Sequence, residues 1–413
     1  PIGLQMSGYR ILHRFYNSAN DTKGKEVKVP TWSLSFSPCV QSRSKPKPPV
    51  TTAANPPLRL LSCHADGSIQ AHTLHEKDIL SSPDIMDATA LEMEKQGELH
   101  ISNVTSNDLN TGLAPMLGSC QISIIRNHTG ESITSGDEVS ASISLDGSVC
   151  LWERKEQPIY VPSSSDDTTT NHPNNCNDIE IQKPVVQFYI EIATGTNIAL
   201  SPPSWGGKYL LAAIGCRDGS VVLYDTGIIV PTDGNNSKNS ATGQVLTHLT
   251  EKKSMVISLA FSPNGMYLAI GRKDGSIDIF SVSKNVSDFR RIHHVVAHSG
   301  MVRAVEFTID NALLLSGGDD GEINAYDIVR RKQIALVGKF VGHKSWILDI
   351  SACPDGRRFA SSSSDKTIRI WDLSMRNSMH TFEGHTDQVW CISFNHDGTR
   401  LASCGDDGLI QIY

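Results

Sequence analysis

Apolar and polar residues alternate with period two in short runs along this chain, and the runs start from Asp-Gly pairs. In "DGSIDIF" from 274 and "DGEINAY" from 320, Ile277 and Ile279, or Ile323 and Ala325, occupy alternate positions after the pair. A period of two puts every second side chain on one face of an extended strand. Asp-Gly marks a tight turn because glycine takes positive φ without a clash. The same frame finds "DGSIQAH" at 66, "DGSVCLW" at 146, "DGSVVLY" at 218, "DKTIRIW" at 365 and "DGLIQIY" at 407, seven copies in all. Upstream of the turns, "WSLSFSP", "VISLAFSPNGMYLAIG", "ILDISACPDGRRFASS" and "VWCISFNHDGTRLASC" predict strand, turn, strand. Each unit therefore has three strands and two tight turns, and segments such as "SMHTF" after Asp372 offer a fourth strand.

The turn aspartates lie 80, 72, 56, 46, 45 and 42 residues apart toward the C-terminus. A four-stranded propeller blade takes about 40–45 residues, so the last four units are compact and the first three carry inserts. The fold expected is all-β: a single seven-bladed β-propeller over residues 1–413, with blades centred on the turns at 66, 146, 218, 274, 320, 365 and 407. Polar inserts rich in Pro, Asn, Ser and Thr are expected at 39–57, 76–117, 155–182 and 227–246. Unit seven ends on its third strand at Tyr413, and the strand-like "YRILHRFYN" has no unit of its own. An open sheet edge invites unwanted pairing, so residues 10–16 are expected to close the last blade.

The net charge of −7, from 37 basic and 44 acidic residues spread along the chain, leaves no basic footprint for a phosphate backbone. Nucleic acid is not an expected direct ligand. Nine cysteines, none in a C-x-x-C pair, sit mostly in apolar stretches such as "SVCLW" and "QVWCISF". This suits reduced thiols of a cytoplasmic or nuclear protein better than a disulfide framework. No apolar run is long enough to cross a bilayer, and the N-terminus lacks a signal-peptide pattern.

Three units carry a fuller signature: "AHSGMVRAVEF…SGGDDGEINAYD", "GHKSWILDISACPDG…SSSDKTIRIWD" and "GHTDQVWCISFNHDG…SCGDDGLIQIY". In each, a histidine precedes the turn aspartate by 22 residues: His298 and Asp320, His343 and Asp365, His385 and Asp407. This resembles the WD-repeat β-propeller family. Within it, residues 254–413 are similar to the WD-repeat subunits of superkiller complexes. The resemblance implies a non-catalytic scaffold, monomeric within a hetero-complex, that holds a helicase and a tetratricopeptide-repeat protein during exosome-mediated 3′-to-5′ mRNA decay. It implies a cytoplasmic protein that also works in the nucleus. The second reading is a transcription or chromatin subunit, in the RNA polymerase II-associated factor complex or as a reader of histone tails.

The resemblance also implies a hydrogen-bonded tetrad in unit six: His343, Asp365, Trp371 and Ser363 or its neighbour Ser362. Serine, histidine and aspartate in one unit invite a catalytic-triad reading. A triad occurs once, however, whereas this aspartate recurs seven times and the histidine three times at fixed spacing. No G-x-S-x-G elbow is present, no enzyme activity is expected, and "RIHHVVAH" lacks a carboxylate or cysteine at metal-ligand spacing. No cofactor or metal is expected. Residues just after the histidine and just before the turn aspartate should rise to the rim of the ring. In units five to seven these are Met301, Arg303 and Asp319; Trp346 and Ser364; Gln388, Trp390 and Asp406. Trp32 in unit one, Arg217 in unit three, and Met255 and Lys273 in unit four fall at comparable places. The repeat does not account for Trp32, Trp346 or Trp390, so these indoles are candidate anchors for a protein partner.

Overall fold

Every regular element among the described residues is a β-strand. The computed structural model describes residues 13–16, 18–20, 26–28, 30–36, 58–65, 69–74, 116–125, 136–144, 148–154, 186–189, 195–202, 209–229, 244–249, 254–282, 289–328 and 334–413. The architecture is a β-propeller of antiparallel sheets, one sheet to each sequence unit. In unit five, Val302–Phe307, Leu313–Gly318, Glu322–Asp327 and Ala335–Val341 pair in that order. Unit six repeats the arrangement with Ile347–Ala352, Arg358–Ser363, Ile368–Asp372 and Asn377–Phe382. Units two, three and four are four-stranded in the same way, and unit one shows three strands, Thr31–Phe36, Leu58–His64 and Ile69–Leu74.

The last sheet draws on both halves of the sequence. Val389–Phe394, Leu401–Gly405 and Leu409–Ile412 are joined by His13–Tyr16, which runs antiparallel to the final strand with His13 opposite Ile412. A separate hairpin, Ser18–Asn20 with Glu26–Lys28, follows it and had no signal in the repeat frame. The turns at 66 and 146 and the inserts at 39–57 and 155–182 lie outside the described residues. Two other insert bounds shift. Met116–Ile125 is already strand at 116, and Val221–Ile229 and Gln244–Leu249 run into the 227–246 insert from both sides. The side chain of Thr226, buried and bonded to the Leu210 carbonyl at 2.8 Å, keeps the first of these extended.

The core is divided between neighbouring sheets. Leu315, Phe340, Phe359 and Trp371 fill the space between units five and six, with the Phe340 and Phe359 rings edge to face at 4.9 Å. Leu34 and Leu60 of unit one pack against Ala402 and Ile410 of unit seven. Each fully buried large apolar side chain contributes about 1.5–3 kcal/mol, so the sheets hold one another rather than a shared centre. Along the innermost strands, side chains also reach across the seams. Asp349 Oδ2 accepts from Ile392 N at 3.0 Å, and Cys391 Sγ accepts from Leu34 N at 3.2 Å.

Candidate functional site

Four side chains form one hydrogen-bonded chain in unit six. The Trp371 indole Nε1–H donates to Ser361 Oγ at 2.7 Å, and Ser361 Oγ meets His343 Nε2 at 2.7 Å. His343 Nδ1 lies 2.9 Å from Asp365 Oδ2. With Nδ1–H donating to the carboxylate, Nε2 is left to accept the serine proton, so every polar atom has one role. The serine is therefore Ser361, not Ser363 or Ser362. The imidazole bonds Asp365 at the turn with one nitrogen, and its other nitrogen points deeper along the strand. Ser363 is too near the turn: it accepts from Asp365 N at 3.0 Å and donates to the Ser345 carbonyl. Ser362 faces away, and its Oγ has no partner among the described residues.

The shared offset was legible in the sequence. Ser316, Ser361 and Ser403 each stand four residues before their turn aspartate. His298 bonds Asp320 at 3.0 Å and Ser316 at 2.8 Å, and His385 bonds Asp407 at 2.9 Å and Ser403 at 2.7 Å. In unit seven Tyr413 stands in for the tryptophan, its hydroxyl 3.3 Å from Ser403 Oγ. Unit four lacks the histidine and uses a buried ion pair instead. Arg272 donates to Asp278 Oδ2 at 2.7 Å and to the carbonyls of Gly219 and Ser254, both at 2.9 Å. Sequence reasoning missed this pair because Arg272 reads as a surface cation beside a turn.

Burial alone would raise the Asp365 carboxyl. The bonds it accepts from His343, Thr367 and Lys344 N outweigh that and hold it well below the usual carboxylate range. Burial pushes His343 down, toward its neutral form. The arrangement thus locks a loop rather than priming a nucleophile. After the aspartate, Gly275, Gly321 and Gly408 have φ of 84°, 75° and 72°, while in unit six Lys366 holds φ of 71°. A lysine there carries left-handed strain that glycine does not. Lys366→Gly is expected to raise stability by about 0.5–1 kcal/mol, read as a higher denaturant midpoint at unchanged slope. An unchanged or lower midpoint would refute the strain.

Next to each turn, the rim residues pair in a repeated way. Asp319 N donates to the Met301 carbonyl, Ser364 N to that of Trp346, Asp406 N to that of Gln388 and Lys273 N to that of Met255, at 2.9–3.0 Å. The sequence candidates thus fall at equivalent places, but their side chains differ. Trp346 is 44% exposed, and the Arg303 guanidinium lies 4.6 Å from its ring centroid. Asp319 holds Arg303 from the other side in an ion pair. Ser364 is turned inward to Ser345 Oγ at 2.7 Å, and Met301 is half-buried. Trp32 Nε1 donates to Asp406 at 3.4 Å. Arg217 and Lys273 are exposed. Trp390 Nε1 and Gln388 Oε1 are buried and without a hydrogen-bond partner among the described residues.

Beneath the rim lies a cavity of about 520 Å³, lined by the innermost strands and including Trp32, Arg303, Glu306, Asp349, Trp390 and Cys391. Burial first, and then the Asp349 charge, raise the Glu306 carboxyl to about 8. Burial likewise raises Asp349 to about 6, against the pull of bonds from Cys391, Ile392 N and Ile350 N. Among the described residues no group of three His, Cys, Asp or Glu side chains converges as a metal site would require. Among the described residues no helix is long and apolar enough to cross a membrane.

Residues 243–281, 289–327, 334–372 and 376–413 match the family described as WD domain, G-beta repeat. The match to WD40 repeats covers these four stretches, less than half of the chain. The four matched stretches hold all three His–Asp–Ser sets and the Arg272–Asp278 pair. Relatives are similar at modest identity. Apoptotic protease-activating factor 1 of Homo sapiens is 28% identical over 42% of this chain and 16% of its own length. Pre-mRNA-processing factor 19 of Oryza sativa subsp. japonica is 27% identical over 46% of this chain and 36% of its own. A guanine nucleotide-binding protein subunit beta of Solanum tuberosum is 29% identical over 52% and 61%. The chain thus spans less than two-thirds of the length of these relatives.

Proposed function

We propose that this chain is a non-catalytic scaffold: a seven-bladed WD40 propeller that docks partner peptides on its rim in a superkiller-type complex. The blade number is supported by the innermost strands. Those at 31–36, 116–125, 195–200, 256–261, 302–307, 347–352 and 389–394 touch in chain order, and the last touches the first. The docking reading is carried by one observation, the exposed Trp346 indole braced by Arg303 and Asp319. An indole already held in place loses little entropy on binding and buries a large area with a partner. The choice of complex is supported by the unit-six and unit-seven motifs, "GHKSWILDISACPDG" and "DQVWCISFNHDG". Its partners are then a helicase and a tetratricopeptide-repeat protein, and its work is cytoplasmic, with a nuclear share.

Affinity purification of the full chain with mass spectrometry tests this reading. Recovery of a helicase with a tetratricopeptide-repeat protein supports it, and recovery of polymerase-associated factors alone refutes the choice of complex. Trp346→Ala is expected to weaken partner binding about 30-fold or more, as for a hot-spot tryptophan, at unchanged thermal stability. Unchanged affinity would move the docking site away from this part of the rim.

A further inference from the structure

We propose that the outer edge of the unit-four sheet, Arg290–Val296, accepts an acidic extended segment of a partner protein as an added strand. This surface is distinct from the rim and does not depend on it.

The strand "RRIHHVV" is outermost in its sheet. It pairs on one side with Ser276–Ser281, and among the described residues no strand lies on its other side. Its burial pattern contains no buried position, whereas the outermost strands of units three, five and six each tuck at least one residue away. Ile292 and Val296 are 37% and 72% exposed, so the strand presents apolar side chains beside its unpaired backbone.

Charge selects the occupant. In a chain of net charge −7, this strand carries two arginines and two histidines and no acid. The nearby carboxylate is already shared: Asp278 bonds Arg272 at 2.7 Å, His294 at 2.8 Å and Arg291 at 3.4 Å. Arg290 and His293 have no ion-pair partner among the described residues. Cations on an edge strand also serve to repel other edges. A guard strand does not need two exposed aliphatic side chains, Ile292 among its charges and Val296 after them, whereas a docking strand does. Strand addition draws affinity from backbone hydrogen bonds and specificity from alternating side chains. Alternating acidic and aliphatic residues would match the cations and the Ile292 and Val296 surfaces in one register.

The probe is a short fluorescein-labelled peptide of alternating Glu and Val, titrated with the full chain and read by anisotropy. It is expected to bind at least about tenfold more tightly than its Lys-Val counterpart, and to weaken as salt rises from about 50 to about 500 mM. The double variant Arg290→Glu with His293→Glu, at exposed or half-buried positions, is expected to lose about tenfold in affinity at unchanged melting temperature. An N-methylated Glu-Val peptide, which keeps the charges but cannot pair along its backbone, should bind about tenfold more weakly. Trp346→Ala should leave binding of the probe unchanged, which separates this surface from the rim. Equal affinity for the Glu-Val and Lys-Val peptides would mean that the strand is only an edge guard. Equal affinity for the N-methylated peptide would reduce the site to charge attraction without strand addition. Either result overturns the proposal.

Discussion

Asp365→Ala unfolds at a denaturant midpoint far below that of the parent chain, with a loss of about 3 kcal/mol expected. The carboxylate accepts from His343 Nδ1 and from Lys344 N, both at 2.9 Å, from Thr367 N at 3.0 Å and from Thr367 Oγ1 at 2.7 Å. Removing it strands a buried imidazole that is also tied to Ser361 and, through it, to Trp371. Asp218→Ala is the matched control. That carboxylate sits at the same turn in unit three but is exposed, with bonds to Ser220 at its own turn. A loss of at most about 1 kcal/mol is expected there. Equal losses in the two variants would show that the tetrad adds nothing beyond an ordinary turn.

Glu306→Gln should act in the opposite direction and only at higher pH. Glu306 is half-buried on an innermost strand, and its carboxyl is raised from 4.5 to about 8. A raised acid binds its proton more tightly when folded, so its contribution to stability is fully present below pH 4.5. It is lost as pH rises toward 8. The glutamine variant, which never ionises, should therefore be more stable than the parent by about 1–2 kcal/mol at pH 8, with solvent screening allowed for. Near pH 5 the two should melt together. Asp349, raised to about 6, adds slope of the same sign in both proteins. His343, held neutral by burial, and the lowered Asp365 and Asp407 instead lose stability on acidification, below about pH 6.5 and pH 4 respectively. The difference between variant and parent cancels these shared terms, so a difference that does not change with pH would contradict the assignment.

Turns and strands of units three to seven were legible because they rest on local chemistry: Asp-Gly pairs and period-two alternation. His343, Asp365 and Trp371 were legible as partners because a fixed spacing recurs. The serine was misplaced because four consecutive serines precede Asp365, and only the comparison with Ser316 and Ser403 separates them. The Arg272–Asp278 pair was invisible for a different reason. Its members are six residues apart on two strands, and the carbonyls that complete the site, Gly219 of unit three and Ser254 just before the first strand of unit four, lie 53 and 18 residues from Arg272. Trp390 read as an exposed anchor like Trp346, yet its indole nitrogen is buried and the residue lines the cavity, because the inward or outward turn of a rim side chain is set by the adjoining units.

The pairing of His13–Tyr16 with Leu409–Ile412 also has a meaning for synthesis. On the ribosome the first of these strands emerges well before its partner exists. At 5–20 residues per second the wait is roughly 20 s or more. Through that interval the nascent chain carries both an unmatched strand and a growing row of sheets with an open end. Chaperone demand should therefore peak late in translation, and a ribosome stalled just before residue 409 should hold a chain that is nearly all folded and still protease-sensitive at its seam.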